Sequence, residues 1–187
     1  MPKSPQNHLD PRQPLVVDTT KLPRQPGATR ALQRVIPAPK DLGLELLSVP
    51  EGSDVELDLV LTSVSEGVYV SGSVRGSLTG ECGRCLNEIN DSFEVSIAEL
   101  YAYADSTTEE TTDEDEVGRM QGDLLDLEPA VRDAVVLTLP TNPVCRPDCP
   151  GLCPECGVHF DDLPADHSHE AVDARWAALR NLSRTEE

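Results

Sequence analysis

Six cysteines are the residues of this sequence whose types and spacing could do chemistry. They are Cys82, Cys85, Cys145, Cys149, Cys153 and Cys156. The first two and the last two each form a C-x-x-C pair, a turn in which both thiolates reach one metal ion while backbone N–H groups hydrogen-bond to the sulfurs. Gly157 follows the second pair and would relieve crowding in that turn. Two such pairs predict tetrahedral zinc coordination, and we interpret all six cysteines as metal ligands.

Two histidines extend the donor set to eight, which is enough for two four-coordinate ions. The partition we favour assigns one ion to Cys82, Cys85, Cys145 and Cys149, and a second ion to Cys153, Cys156, His167 and His169. The alternative is a single ribbon-like site built by the two C-x-x-C pairs alone. Histidines in an acidic segment are usually only solvated, so His167 and His169 are the weakest ligands of the set. The sequence thus predicts one or two Zn²⁺ ions.

Two catalytic interpretations of these cysteines compete with metal binding. A thioredoxin-type dithiol at Cys82 and Cys85 needs a helix that begins at the first cysteine, but a strand pattern follows instead. A zinc deaminase needs H-x-E together with P-C-x-x-C, and neither element is present. With every cysteine assigned as a ligand, no open metal position remains for water, and we predict no enzyme activity.

Composition favours a reduced, aqueous compartment. The segment from Met1 to Pro14 lacks the apolar core of a signal peptide, and no run approaches the roughly 18 apolar residues of a membrane span. We therefore expect a cytoplasmic protein without a membrane partner. Disulfides are rare in that compartment, which supports the metal interpretation of the cysteines.

Charge is distributed unevenly along the chain. The formal net charge of -19 argues against nucleic acid as the main partner. Residues 1–40 nevertheless carry an excess of Lys and Arg, and we interpret them as an extended basic arm with one short strand near Leu15–Val17. Such an arm is consistent with RNA contact, and equally with a tail held against its own acidic domain.

Alternating apolar residues predict three strands in the middle of the chain. The first alternation runs from Val55 to Leu61, the second from Val68 to Leu78 after a turn at Glu66-Gly67, and the third from Phe93 to Ile97. Short connections between successive strands favour an antiparallel meander.

Two helices and one loop complete the expected elements. Residues 104–118 are too acidic to order themselves and predict a solvated loop. Asp126 can cap a helix that buries Leu127, Val131, Ala134, Val135 and Thr138 and ends at Pro140. A second amphipathic helix is expected over 170–182.

These observations predict an α+β fold: an antiparallel β-meander with one or two helices and a zinc-bound C-terminal segment. We expect a basic arm over 1–40 and a single domain over 41–182, with the zinc-binding segment at 145–169.

Several ordered motifs resemble the YceD family of large ribosomal RNA subunit accumulation proteins. They are Cys82-Gly-Arg-Cys85-Leu86, Asp126-Leu127, Leu137-Thr-Leu-Pro140, Cys145, Cys149-Pro-Gly-Leu-Cys153-Pro-Glu-Cys156-Gly157 and Asp173-Ala-Arg-Trp-Ala-Ala-Leu179. The resemblance covers roughly Leu15 to Leu182, and Pro26-Gly27 with Val49-Pro50-Glu51-Gly52 is similar to the actinobacterial branch. Many members end the second cluster with C-x-C, where this chain has His167-Ser-His169.

The resemblance implies a role in the synthesis, processing or stability of large-subunit ribosomal RNA, without a known catalytic activity. The partners it implies are ribosomal proteins or pre-ribosomal particles. From the charge distribution, we expect contact either through basic ribosomal proteins drawn to the acidic surface or through RNA bound by the cationic arm. The alternative function is a thiol-disulfide oxidoreductase that uses the Cys82 and Cys85 dithiol.

Overall fold

Long antiparallel strands dominate the computed structural model, which describes residues 8–106 and 117–169. In chain order the strands are β1 Val16–Asp18, β2 Thr29–Pro37, β3 Leu47–Ser48, β4 Asp54–Val64, β5 Gly67–Glu81, β6 Glu88–Ala102, β7 Gly118–Arg119 and β8 Leu124–Asp126. The described α-helix, α1, spans Glu128–Thr138, and a short 3-10 helix spans Phe160–Asp162.

The chain divides into two compact units, Met1–Cys145 and Arg146–Glu187. The eight described strands and α1 belong to the first unit, and the short 3-10 helix belongs to the second.

The predicted meander is confirmed. β4 and β5 form a hairpin closed at Val64 opposite Gly67, and β5 pairs with β6 from Gly67 opposite Ala102 to Glu81 opposite Glu88. β4 buries every second side chain, as its alternating sequence predicts. β7 adds a short parallel pairing to β6, so the sheet is mixed.

The N-terminal residues contribute two strands and part of the core. β2 pairs with β4 along its length, which gives the order β2-β4-β5-β6-β7 with β3 also on β5, and β1 pairs with β8 in a separate two-stranded sheet. Leu15, Val17 and Leu32 are buried in the main hydrophobic cluster. Within residues 8–40, this segment therefore packs into the first unit.

α1 covers part of the sheet in the way the sequence predicts. Val131 and Val135 are buried in the same cluster as the inward side chains of the strands. The N-cap of α1 is Leu127 and not the predicted Asp126, although the Asp126 carboxylate accepts a 2.9 Å hydrogen bond from the N–H of Glu128, the first helical residue. Thr138 differs from the prediction because it is exposed, and its hydroxyl donates to the carbonyl of Ala134.

Two predicted elements fall largely on residues outside the described ranges. They are the acidic loop over 104–118, of which 107–116 are not described, and the helix over 170–182. Among the described helices, none is both long enough and apolar enough to cross a membrane.

Candidate metal centre

The first C-x-x-C pair forms the tight connection between β5 and β6. The N–H of Cys82 donates to the carbonyl of Asn87, and the N–H of Leu86 donates back to the carbonyl of Cys82, both at 2.8 Å. These bonds continue the β5–β6 hairpin to its end and fold the chain between them into a knuckle. Both thiols are therefore fixed at the tip of the longest hairpin of the sheet.

The second C-x-x-C pair repeats this geometry in the other unit. The N–H of Cys153 donates to the carbonyl of Val158, and the N–H of Gly157 donates to the carbonyl of Cys153, again at 2.8 Å. The donors and acceptors stand at the same offsets from the cysteines as in the first knuckle. Two segments of different sequence thus form the same thiol-presenting turn, which is the turn that zinc knuckles use.

Within the first unit, three thiols converge. The sulfurs of Cys82, Cys85 and Cys145 lie within 4.8 Å of one another, and Cys85 Sγ is 3.6 Å from Cys145 Sγ. A disulfide requires about 2.05 Å between sulfurs, so this contact is not covalent. None of the six cysteines, all of which lie in the described ranges, forms a disulfide.

A backbone contact holds Cys145 beside the first knuckle. The N–H of Gly83 donates to the carbonyl of Pro143 at 2.8 Å, two residues before Cys145. A Cβ at position 83 would lie 2.0 Å from Asn142 Oδ1, so the absence of a side chain at Gly83 leaves room for the Asn142 amide beside this contact. The sequence analysis did not predict this contact. The glycine inside Cys82-Gly-Arg-Cys85 was the sequence feature that could have indicated it.

Hydrogen bonds favour the thiolate at Cys82, which is the form that binds metal. Burial is the largest single influence on the Cys82 thiol and raises its pKa. Backbone N–H groups, led by that of Cys145 and followed by that of Arg84, together outweigh burial and lower the pKa to about 6. The N–H of Arg84 lies 3.4 Å from Cys82 Sγ.

The second unit brings together the four donors that the two-ion partition assigned to one site. Ligand atoms of Cys153, Cys156, His167 and His169 lie within 4.8 Å of one another. Cys156 Sγ is 3.7 Å from His167 Nε2, and the two imidazole rings meet edge to face with centroids 4.4 Å apart. The pKa of Cys153 is lowered to about 6, mainly by the backbone N–H of Cys156 and next by the side chain of His167.

The remaining cysteine, Cys149, belongs to the second unit. It is buried, and its N–H donates to the carbonyl of Arg146 at 3.1 Å. Arg146 in turn forms an ion pair with Asp161, which ties the segment before the second knuckle to the short 3-10 helix.

His159 is a feature of this segment that sequence reasoning did not single out. Its Nδ1 accepts a 3.1 Å hydrogen bond from the N–H of Asp161, while its Nε2 is buried without a hydrogen-bond partner among the described residues. Because Nδ1 is used to cap the 3-10 helix, His159 has a structural role that differs from the roles of His167 and His169.

The donor chemistry of the two clusters fits a soft or borderline metal ion. Thiolate and imidazole ligands are typical of zinc and are poor ligands for Mg²⁺ or Ca²⁺. Each unit therefore contains a group of side chains that could hold a metal ion.

The first knuckle lacks the geometry of a thioredoxin-type dithiol. Cys82 is fully buried, and the chain continues through Leu86 into β6 rather than into a helix. No helix dipole can therefore activate the thiol, and a protein substrate would have little access to its sulfur.

More than half of this chain matches the sequence profile of a known protein family. The sequence profile described as "Large ribosomal RNA subunit accumulation protein YceD" matches residues 70–183, a range that includes both clusters. No solved structure matches the chain.

Several relatives of this chain are mycobacterial proteins. An uncharacterized protein of Mycobacterium tuberculosis (strain H37Rv) is 50% identical over 166 residues, which cover 89% of this chain and 80% of the relative. An uncharacterized protein of Mycobacterium leprae is 43% identical over 169 residues, covering 90% and 77%. The uncharacterized protein YlbN of Bacillus subtilis is 24% identical over 124 residues, covering 66% and 70%.

Proposed function

This chain belongs to the YceD family, and on that basis we propose that it is a non-enzymatic zinc-binding factor that supports the synthesis, processing or stability of large-subunit ribosomal RNA. The observation that carries the proposal is the family match over residues 70–183. The family's name describes accumulation of the large ribosomal RNA subunit, and the thiol and imidazole clusters lie inside the matched range.

We assign two zinc ions to the two clusters. The first ion is held by Cys82, Cys85, Cys145 and Cys149, and the second by Cys153, Cys156, His167 and His169. The convergence of three of the first four donors and of all of the second four supports this assignment. Four protein ligands leave no open coordination position, so the role of each ion is structural rather than catalytic.

The proposed partners are proteins of the assembling large subunit. The net charge of -19 favours basic proteins over nucleic acid. Arginines of the N-terminal segment already have partners in the first unit: Arg24 pairs with Asp123 at 3.1 Å, and Arg30 donates to the carbonyl of Asp18. The donation of these side chains to the chain itself favours a packed segment over an RNA-binding arm.

A measurement of metal content tests the zinc assignment. Native mass spectrometry of the full chain should show two zinc ions, and His167→Gln should lose one because a thiolate site with an incomplete ligand set binds weakly. His159→Asn is the matched control, since Asn keeps a capping acceptor and the position is not a ligand. Equal zinc content in wild type and His167→Gln would contradict the assignment.

Ribosomal RNA levels test the cellular role. In a bacterium that carries this gene, depletion should lower large-subunit RNA relative to small-subunit RNA, and the wild-type chain should restore the ratio. The His159→Asn chain should also restore it, whereas Cys85→Ser should not. An unchanged ratio after depletion would reject the role, and disulfide turnover by the purified thiols would favour the oxidoreductase alternative.

A further inference from the structure

β6 has a long open edge. β5 pairs with all fifteen residues of β6, from Glu88 to Ala102, whereas β7 meets the opposite edge only at Tyr101 and Ala102. Among residues 8–106 and 117–169, no strand covers the edge between Glu88 and Leu100. In an antiparallel strand, every second residue directs its N–H and C=O away from the paired neighbour, so this edge presents a row of backbone groups that no described strand pairs with.

A local hydrogen bond identifies which residues face the open edge. The N–H of Ser92 donates to the carboxylate of its neighbour Asp91 at 2.8 Å, and this N–H therefore points away from β5. By alternation, the backbone groups of Asn90 and Glu94 point the same way. Asp91 thus occupies one edge N–H with a side chain that an incoming strand could displace.

An apolar groove lies beside the same stretch of edge. It has a volume of ≈ 380 Å³, and its walls include Phe93 of β6 together with Leu139 and Val144 from the segment after α1. Asp91 and Glu94 stand among the lining residues. A strand added to β6 would direct alternate side chains toward this groove, and its backbone would complete the ladder.

The acidic side chains of β6 determine which kind of segment can pair with its open edge. β6 carries four acidic residues and no basic one, namely Glu88, Asp91, Glu94 and Glu99. A second copy of this chain, pairing β6 with β6, would place like charges beside one another, which destabilises strand pairing. A segment with lysine or arginine side chains would instead meet complementary charge.

We propose that the part of the β6 edge beside the groove, from Asn90 to Glu94, binds an extended, lysine- or arginine-containing segment of another protein as an added strand, with apolar side chains of that segment in the groove. The inference rests on the proposed function in taking the partner to be a protein. Its test requires neither metal nor RNA measurement, so its failure would leave the zinc and ribosomal RNA proposals standing.

The test uses the full chain and a short fluorescent peptide in which lysine alternates with valine. Binding measured by fluorescence anisotropy should weaken at least tenfold when alternate backbone amides of the peptide are methylated, because each such amide loses a ladder hydrogen bond. Replacing valine by serine, or lysine by glutamate, should also weaken binding. Equal affinity for the methylated peptide would overturn the proposal.

Protein variants localise the binding. Asp91→Asn keeps a side-chain acceptor for the Ser92 N–H and removes only the charge, so it should weaken peptide binding by about two- to fivefold. Glu99→Gln is the matched control on the same strand, about 26 Å away at the rise of an extended chain, and should change affinity less. Equal effects of the two substitutions would overturn the assignment of the site.

Self-association is the competing outcome. Sedimentation of the full chain without peptide should show a monomer under the conditions of the binding measurement. A dimer that dissociates when the peptide is added would show that a second copy occupies this edge, and the proposal of a cationic partner would be rejected.

Discussion

Single residues at the end of each knuckle decide how easily the turn forms. Leu86 and Gly157 both follow the second cysteine of a pair, and both adopt left-handed backbone, with φ of 61° and 70°. Glycine adopts the left-handed conformation without strain, whereas for other residues this conformation costs roughly 1–2 kcal/mol. Leu86 is 60% exposed, so its side chain gains little packing energy to offset this strain.

Substitutions at these two positions should therefore change the free energy of unfolding in opposite directions. We expect Leu86→Gly to raise the free energy of unfolding of the zinc-loaded chain by about 0.5–1 kcal/mol, after the greater unfolded-state entropy of glycine is subtracted. Gly157→Ala should lower it by about 1 kcal/mol through φ alone, because no atom lies within 4 Å of a Cβ at Gly157.

Urea unfolding followed by circular dichroism measures both changes. If Leu86→Gly proved destabilising, the leucine side chain would have to contribute packing that its exposure does not show. If Gly157→Ala had no effect, the left-handed conformation at that position would be wrong.

At this scale the sequence indicated candidate metal ligands better than it indicated the contacts that position them. Spacing indicated the two cysteine pairs because C-x-x-C has a local geometry that needs no tertiary information. The approach of Asn142 to Gly83 joins residues almost sixty positions apart, and no local pattern records such a contact. The left-handed conformation of Leu86 was equally hidden, since the residue there is not glycine.

Among the elements, α1 stabilises the first unit through a narrow face. Val135 is fully buried, whereas Leu137, two residues later, is 85% exposed. We expect Val135→Ala to cost about 2 kcal/mol through lost burial and the cavity left behind. Leu137→Ala, the matched control on the same helix, should stay within about 0.5 kcal/mol.

Thermal or urea unfolding of the two variants checks this difference directly. Equal losses would mean that Leu137 has a packing partner that its exposure does not indicate. If neither variant lost stability, α1 would contribute little to the stability of the unit.

The strands differ in how far the sequence could predict them. β4 alternates strictly, and its pattern fixes both its type and its buried face. β2 does not, because Arg34 stands between the buried positions Leu32 and Ile36 on the same face. Arg34 is exposed, and its guanidinium donates to the carbonyl of Pro14. An exposed cation between two buried positions conceals the period of two, so the pairing of β2 with β4 required tertiary structure.

For the whole molecule, metal and folding should be coupled. Structural zinc in small sites contributes roughly 10–16 kcal/mol of apparent binding free energy, and a domain is typically stable by only about 5–15 kcal/mol. We therefore expect a strong chelator to lower the thermal midpoint markedly. Cys85→Ser and Cys153→Ser should each retain one ion, because each disrupts a different ligand set.

Zinc stoichiometry and differential scanning calorimetry measure these effects together. If Cys85→Ser kept both ions and an unchanged midpoint, the first site would be wrong, and the first knuckle would have to be reconsidered as a free dithiol. If either substitution released both ions, the two ligand sets would not be independent.

The pairing of β1 with β8 has a consequence for the order in which the chain can fold during its synthesis. Val16 lies opposite Asp126, about 110 residues further along the chain. At about 5–20 residues per second, translation takes roughly 5 to 22 s to supply that partner strand. Throughout this interval Leu15, Val16 and Val17, which are buried in the finished structure, have no strand to pair with. The backbone of β1 therefore lacks its partner strand until β8 has been synthesised.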